Sequence, residues 1–291
     1  MMEKRISGHT KLFGLIGSPV GHSGSPAMHN YSFERLGLDY AYMAFDVKAE
    51  EVADAIAAMK ALKIKGYNVT MPCKIEAMKH MDELSQTAQI IGAVNTIVNE
   101  NGKLIGHSTD GVGFVDNLKD HGVNIEGKKI TIIGGGGAAT AIQAQCAIDG
   151  AREISIFKRQ DAALARTLEI VEKIRASVPN CIVNVFDTAD IAKMTAEVLD
   201  SDILVNGTIV GMTPMDDESP IKDVSAFHKD LVVCDIVYNP IETKLLREAK
   251  EAGCKCVGGK GMLLWQGVAA FKMFTGYDMP VEEVKAKFFA E

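Results

Sequence analysis

The chain has 291 residues, a formal net charge of −7, 47% hydrophobic residues and 24% charged residues. That length holds two domains of ordinary size, each with its own core, and the composition is that of a globular protein in water. The acidic balance and the lack of a long basic run argue against a nucleic-acid surface, and no run of about 18 apolar residues reads as a membrane span. The opening Met1-Met2-Glu3-Lys4-Arg5 lacks the apolar core of a signal peptide. Six cysteines, at 73, 146, 181, 234, 254 and 256, form no CxxC pair. They read as reduced small hydrophobes rather than a metal site, so no metal and a cytoplasmic location are expected.

In the first part of the chain, strands and helices alternate. Residues 12–17 read as a strand, and residues 25–36 as a helix with Ser25 as N-cap and Pro26 in the first helical position. Residues 40–47 form a second strand and residues 50–62 an amphipathic helix with Val52, Ile56 and Met59 at helical spacing. A third strand spans 66–69, with a helix opening near Pro72. Residues 94–98 and 103–106 flank Asn99-Glu100-Asn101-Gly102, a hairpin signal with Asn-Gly at its turn.

From Lys128 onward strand and helix succeed one another strictly, with strands at 130–133, 154–157, 182–186, 203–206, 231–237 and 255–257. This is the doubly wound α/β pattern. Its first strand runs into Gly134-Gly135-Gly136-Gly137 and then the helix-forming Ala138-Ala139-Thr140. Strand, glycine turn and helix is the context a dinucleotide pyrophosphate needs. Gly134 permits the tight turn, Gly136 lets backbone N–H groups approach the phosphates, and the helix N-terminus faces the negative charge. A whole unit precedes this loop, so the substrate is expected upstream. Residues 261–289 read as helical, apolar on one side, and expected to pack back on the first domain.

Three polar clusters fall at strand ends upstream, where an α/β site is built. In Ser23-Gly24-Ser25, two hydroxyls could hold one ligand group, or Ser25 could simply cap its helix, which spacing alone favours. Lys74 follows Pro72 in a first helical turn, where the helix dipole disfavours a cation. That suits a lysine that exchanges a proton, although from spacing alone a solvated surface lysine is the commoner case. Asn95 and Asp110 bracket the hairpin, which can bring both near one point, and Asp110 could instead cap a helix at 112–118. A lysine and an aspartate without a Cys/His metal set resemble a proton relay beside a nicotinamide.

Seven motifs, taken in order, resemble the shikimate dehydrogenase family. They are Gly17-Ser18-Pro19 with His22-Ser23-Gly24-Ser25-Pro26, Asn68-Val69-Thr70-Met71-Pro72-Cys73-Lys74, Gly92-Ala93-Val94-Asn95-Thr96, Thr109-Asp110-Gly111, Asn206-Gly207-Thr208 with Gly211-Met212, Val237-Tyr238-Asn239-Pro240, and Gly261-Met262-Leu263-Leu264-Trp265-Gln266-Gly267. The resemblance covers nearly the whole chain. It implies NAD(P)-dependent interconversion of shikimate and 3-dehydroshikimate in aromatic amino-acid biosynthesis. It also implies that Ser23 and Ser25 hold the substrate carboxylate and that Thr70, Asn95, Tyr238 and Gln266 surround the ring. Lys74 and Asp110 form the catalytic pair, with Lys74 accepting the proton. Gly134, Gly135, Gly136, Gly137, Ala138, Lys158, Arg159, Asp161, Thr208, Tyr238, Gly259 and Met262 are then expected at the NAD or NADP cofactor. The implied division is a substrate-binding domain at 1–112, completed by 262–291, and a Rossmann domain at 113–261. Partners are the small-molecule substrate alone, with neither nucleic acid nor membrane, in a monomer or homodimer.

Two departures from the family pattern matter. Gly24 stands where many members carry lysine. Lys158-Arg159-Gln160-Asp161 replaces the Asn-Arg-Thr of NADP-specific members. Arg159 could stack on adenine or meet a phosphate, while Asp161 could bind ribose hydroxyls and repel a 2′-phosphate, or cap a helix from Ala162. The pattern, with Trp265 and Thr275-Gly276, is similar to the quinate/shikimate dehydrogenase branch, which leaves quinate with NAD as an alternative. A non-catalytic sensor of NAD(P) and a small acid is a third reading, against which the intact Lys74 and Asp110 argue. A dehydrogenase for an amino-substituted ring acid rests on family analogy alone.

Overall fold

The computed structural model describes residues 6–290; the signal-peptide reading of Met1–Arg5 lies outside the described residues. Contacts divide the chain into two compact units, Met1–Thr109 with Gln266–Glu291, and Asp110–Trp265.

The first unit is built on strands β1 (Lys11–Gly17), β2 (Tyr40–Asp46), β3 (Gly66–Val69), β4 (Glu83–Leu84), β5 (Thr96–Glu100) and β6 (Lys103–His107). They form one mixed sheet in the order β2-β1-β3-β5-β6-β4. β1 runs parallel to β2 and β3, whereas β5 is antiparallel to both β3 and β6. The Asn-Gly signal is realised as a two-residue turn, with Asn101 at φ 57° and Gly102 at φ 101°, the left-handed pair such a hairpin requires. Helices α1 (Ser25–Arg35), α2 (Val52–Ala61), α3 (Lys74–Met78) and α4 (Gln86–Ile91) complete this part of the chain. Side chains alternate across the sheet. Ile16, Tyr67, Val69 and Ile97 share a core with Val52, Ile56 and Met59 of α2 and Ala77 of α3.

The second unit has α5 (Asp110–Asp120), then β7 (Lys129–Ile133), α6 (Gly137–Ile148), β8 (Glu153–Lys158), α7 (Leu164–Ser177), β9 (Ile182–Asp187), α8 (Ile191–Leu199), β10 (Ile203–Asn206), β11 (Val232–Asp235), α9 (Lys244–Glu251) and β12 (Lys255–Val257). The six strands are all parallel, in the order β12-β11-β10-β7-β8-β9. The order reverses between β7 and β10, and the crevice outside the carboxyl ends of such a pair is where this fold binds ligands. The opposite edge is closed by charge. Lys129, almost wholly buried, pairs with Glu197 and Asp200 at 2.8 Å and with Glu153 at 3.4 Å. Burial alone would raise the Glu197 carboxyl, but Lys129, Lys193 and Ser155 overcome it and hold it at about 2.

The last elements are α10 (Lys260–Thr275) and α11 (Val281–Val284), followed by a π-helical turn at Lys285–Phe289. Residues from Gln266 onward belong to the first unit. Phe271 stacks on Phe33 of α1 at 5.5 Å, and Phe274 lies 5.3 Å from Phe13 of β1. Phe13, Phe33 and Phe271 are fully buried, and each such ring contributes roughly 1.5–3 kcal/mol. This apolar layer covers the sheet face opposite α2.

The structure corrects several boundaries. Gly24, not Ser25, is the N-cap of α1, and the Ser25 N–H is taken by the Ser23 hydroxyl at 3.2 Å. The helical stretch expected over 261–289 divides after Thr275, where Gly276 turns left-handed at φ 77°, a usual helix stop. The strand expected over 231–237 ends at Asp235, whose carboxylate takes the Val237 N–H at 2.9 Å and turns the chain out of the sheet. β4 and α4 form where no element was expected. α4 is capped by the Ser85 hydroxyl, which accepts from the Ala88 N–H, and it ends on left-handed Gly92.

His29 of α1 is fully buried and stacks on Tyr42 at 4.4 Å, with 3° between the planes. Among the described residues neither of its ring nitrogens has a hydrogen-bond partner. Burial lowers its pKa from 6.5 to about 3. Between those values the unfolded chain binds the proton and the native chain does not, so this contribution to stability is whole above pH 6.5 and lost as pH falls toward 3. A His29→Phe variant is expected to lessen the acid-side fall of the urea midpoint, by on the order of 1 kcal/mol per pH unit in that window. Urea titrations in steps of pH check this, and an unchanged slope would contradict it.

Candidate active site

In the first unit the polar clusters meet at one edge of the sheet. β1 and β3 end there, β5 begins there, and β6 returns to it. Main-chain bonds lace the ends together: Ser18 N–H to Met71 O (3.0 Å), Thr70 N–H to Ile16 O (2.9 Å), Val69 N–H to Asn95 O (2.7 Å) and Val94 N–H to Lys74 O (3.1 Å). Lys74 is the first residue of α3 and is half-buried.

Asn95 is the buried knot of this edge. Its Oδ1 accepts from the Thr109 N–H at 2.8 Å and the Thr96 hydroxyl at 3.0 Å, and its Nδ2 donates to the Thr109 hydroxyl at 3.0 Å. Asn68 Nδ2 donates to the Thr96 hydroxyl at 3.0 Å, and the Tyr42 hydroxyl donates to Asn68 Oδ1 at 2.8 Å. Burial pushes the Tyr42 hydroxyl well above the usual phenol range, and a side-chain hydrogen bond with Ser25 works the other way. A continuous polar chain thus runs Ser25, Tyr42, Asn68, Thr96, Asn95, Thr109. Asp110 is the next residue. It opens α5 itself rather than capping a helix at 112, and it belongs to the second unit.

In the second unit, β7 ends in the glycine loop at the switch point. Gly134 is left-handed at φ 120°, and a Cβ there would lie 2.8 Å from the Gly207 carbonyl oxygen. A Cβ on Gly136 or Gly137 would meet nothing within 4 Å. Among the described residues no side chain caps α6, so its first N–H groups, from Gly137 and Ala138 onward, face open space. That is the cradle an anionic pyrophosphate fills.

At the end of β8, Lys158 is nearly buried beneath Gly135, whose Cβ would stand 2.8 Å from Lys158 Cδ. Its ammonium donates to Asp161 Oδ1 at 2.5 Å and to the Arg159 carbonyl at 3.2 Å. Asp161 also accepts the Ala163 N–H at 2.9 Å, and Arg159 Nε lies 3.8 Å from its other oxygen. Lys158 foremost holds the Asp161 carboxyl below the usual carboxylate range. α7 starts at Leu164, not at Ala162, because Ala163 is its N-cap.

The remaining expected residues follow β10, β11 and β12 or lie in α10. The Thr208 hydroxyl donates to Asn206 Oδ1 at 2.7 Å, and Tyr238 is half-exposed. Gly259 packs so closely on the Ile236 and Val237 carbonyls that no side chain fits, and its own carbonyl accepts the Met262 N–H at 3.1 Å. Gln266 lies in α10, in the part that belongs to the first unit. Among the described residues no group of three or more His, Cys, Asp or Glu could hold a metal ion, and no helix is long and apolar enough to cross a membrane.

Residues 15–97 match the shikimate dehydrogenase substrate-binding domain, and residues 259–287 match the shikimate 5′-dehydrogenase C-terminal domain. The chain is 49% identical to a shikimate dehydrogenase (NADP+) of Streptococcus uberis, over 98% of this chain and 97% of the relative. It is 44% identical to a quinate/shikimate dehydrogenase of Escherichia coli, over 96% and 97%. The crystal structure of shikimate 5-dehydrogenase from Listeria monocytogenes in complex with shikimate and NAD superposes with a TM-score of 0.95, at 46% identity over 98% of both chains. The chain belongs to the shikimate dehydrogenase family.

Family membership gives the two sets of residues a common context. Ser23, Ser25, Thr70, Lys74, Asn95 and Gln266 lie in the first unit, and Asp110, Tyr238 and all the residues expected at the cofactor lie in the second. The sequence reading missed Tyr42, Asn68 and Thr109, which tie Ser25 to Asn95. Asn68, a polar residue inside an apolar strand, was the available signal. It also missed Asp235, buried at the end of β11.

Replacing Asn95 with alanine leaves the Thr109 N–H and two hydroxyls without their acceptor. The expected loss is about 1–3 kcal/mol of stability per stranded buried group, together with a fall in kcat/KM for a ring substrate. Thermal melts and steady-state kinetics measure both. A variant that kept wild-type kcat/KM would remove Asn95 from the site.

Proposed function

We propose that the protein catalyses the reversible oxidation of shikimate to 3-dehydroshikimate with NAD or NADP. The observation that carries this is the hydroxyl- and amide-lined edge running from Ser25 to Thr109, with the single cation Lys74 at its helix start. That chemistry fits a small polyhydroxylated acid. Ser23 and Ser25 hold the carboxylate, and Thr70, Asn95, Tyr238 and Gln266 surround the ring. Lys74, as a free amine, takes the proton of the reacting hydroxyl and becomes an ammonium, while Asp110 orients that hydroxyl and pairs with the ammonium so formed. When bound, the oxidised nicotinamide accepts the hydride that leaves the carbinol carbon. The uncapped N-terminus of α6 supports a pyrophosphate at Gly134–Gly137, flanked by Lys158 and Arg159.

Quinate is the second substrate. It carries an extra hydroxyl on the carboxylate-bearing carbon, and a Cβ on Gly24, between the two serines, would meet nothing within 4 Å. The side chain that many relatives place there is absent, which leaves room beside the carboxylate.

Lys74→Ala is expected to lower kcat for shikimate by about a hundred-fold or more, with a smaller change in KM. Wild-type turnover in this variant would refute the role of Lys74. Failure of the wild-type enzyme to oxidise either acid with either dinucleotide would refute the reaction.

Both dinucleotides are accepted because Lys158 and Arg159 offset the charge of Asp161. In Asp161→Ala those cations turn to a 2′-phosphate, and the ribose loses an acceptor. The KM for NADP is expected to fall several-fold and that for NAD to rise. Parallel KM measurements decide, and equal shifts for both cofactors would contradict the assignment.

A further inference from the structure

Asp235, at the end of β11, is 2% exposed and lies outside every cluster described for the reaction. Its carboxylate takes three donors from three segments: Asn206 Nδ2 at 3.0 Å, the Val237 N–H at 2.9 Å and the Thr243 hydroxyl at 2.7 Å. Each donor is itself a fastening. Asn206 Oδ1 holds the Thr208 N–H and hydroxyl at 3.0 and 2.7 Å, and Asn206 Nδ2 also donates to the Val210 carbonyl at 3.0 Å. Val237 precedes Tyr238, and Thr243 is the N-cap of α9. One carboxylate therefore fixes the loop after β10, the loop after β11 and the start of the following helix. The first of these loops abuts the glycine loop, since Gly207 N–H donates to the Ile133 carbonyl at 2.8 Å.

The sheet order says which half of a dinucleotide these loops face. β8 and β10 flank β7 on opposite sides. With the pyrophosphate at the end of β7, the adenosine half extends toward Lys158–Asp161 at the end of β8. The nicotinamide half then extends toward β10 and β11. We propose that Asp235 is the positioning residue of the nicotinamide subsite, holding the Thr208 and Tyr238 loops in one arrangement. This rests on the reading of the protein as an NAD(P) enzyme.

A cofactor fragment separates this role from a general structural one. Asp235→Asn is nearly isosteric but offers one acceptor oxygen, and a donor, to three donors. Its affinity for NADPH, followed by the fluorescence of the reduced nicotinamide, is expected to weaken about ten-fold. Its affinity for adenosine 2′,5′-bisphosphate, which reaches only the β7–β8 side, should stay within about twofold. Thr243→Val, which removes one donor without adding another, should shift NADPH affinity the same way by less, and it serves if the asparagine variant does not fold. Parallel weakening of both ligands, or no change in either, would overturn the proposal. If wild-type protein bound neither ligand, the dinucleotide reading itself would fail, an outcome distinct from the first.

Discussion

A parallel sheet covered on both faces leaves its strands nowhere to place polar groups except at their ends. The second unit follows this except at Thr131 and Ser155, whose buried hydroxyls bond to Ser201 and Glu197. Ile130, Ile132, Ile154, Ile156, Ile203 and Val205 are buried along β7, β8 and β10. The amino edge resolves the constraint by neutralising charge around Lys129. The carboxyl edge resolves it by leaving backbone N–H groups of α6 open and by placing Lys158, Asn206 and Asp235 within hydrogen-bonding distance of loops. The two edges use similar residue types to opposite purpose, one closed on itself and one able to receive a ligand.

The first unit meets the same constraint with a mixed sheet. Because β5 and β6 form a hairpin antiparallel to β3, Asn95 and Thr109 arrive at the edge where β1 and β3 end. Four strand ends converge there, those of β1, β3 and β6 and the start of β5, and the resulting polar chain is buried along most of its length. Buried amides and hydroxyls that satisfy one another are rigid, so the hydroxyl of Ser25 and the carbonyl-side geometry of Lys74 are set before any ligand arrives. At the end of β8 in the other unit the balance is different: Asp161 is shared by a buried lysine and an exposed arginine.

The fold was legible where local chemistry determines it. The Asn-Gly turn, the strand before Gly134 and the helix after it follow from residues adjacent in sequence. So did the placement of Lys74 at a helix start. The hydrogen-bond partners were not legible, because Tyr42, Asn68, Thr96 and Thr109 meet only through strand pairing. Ser25 was misread as a cap because the hydroxyl two residues earlier takes its N–H, which starts the turn sooner. Asp235 read as interior to a strand over 231–237, and its three donors come from segments up to 29 residues away.

The return of residues 266–291 to the first unit has a consequence for how the protein is made. During synthesis Phe13, Phe33 and the stacked His29 and Tyr42 emerge before the second unit, while Phe271 and Phe274 emerge after it. That unit has all its strands in one continuous stretch and needs no later segment to close its sheet. The first unit cannot close so early, and its aromatic face stays wet until the whole second unit has been made. Its assembly thus waits on a segment that follows the second unit in the chain, which makes residues 266–290 a condition for the first sheet rather than an appendage to it.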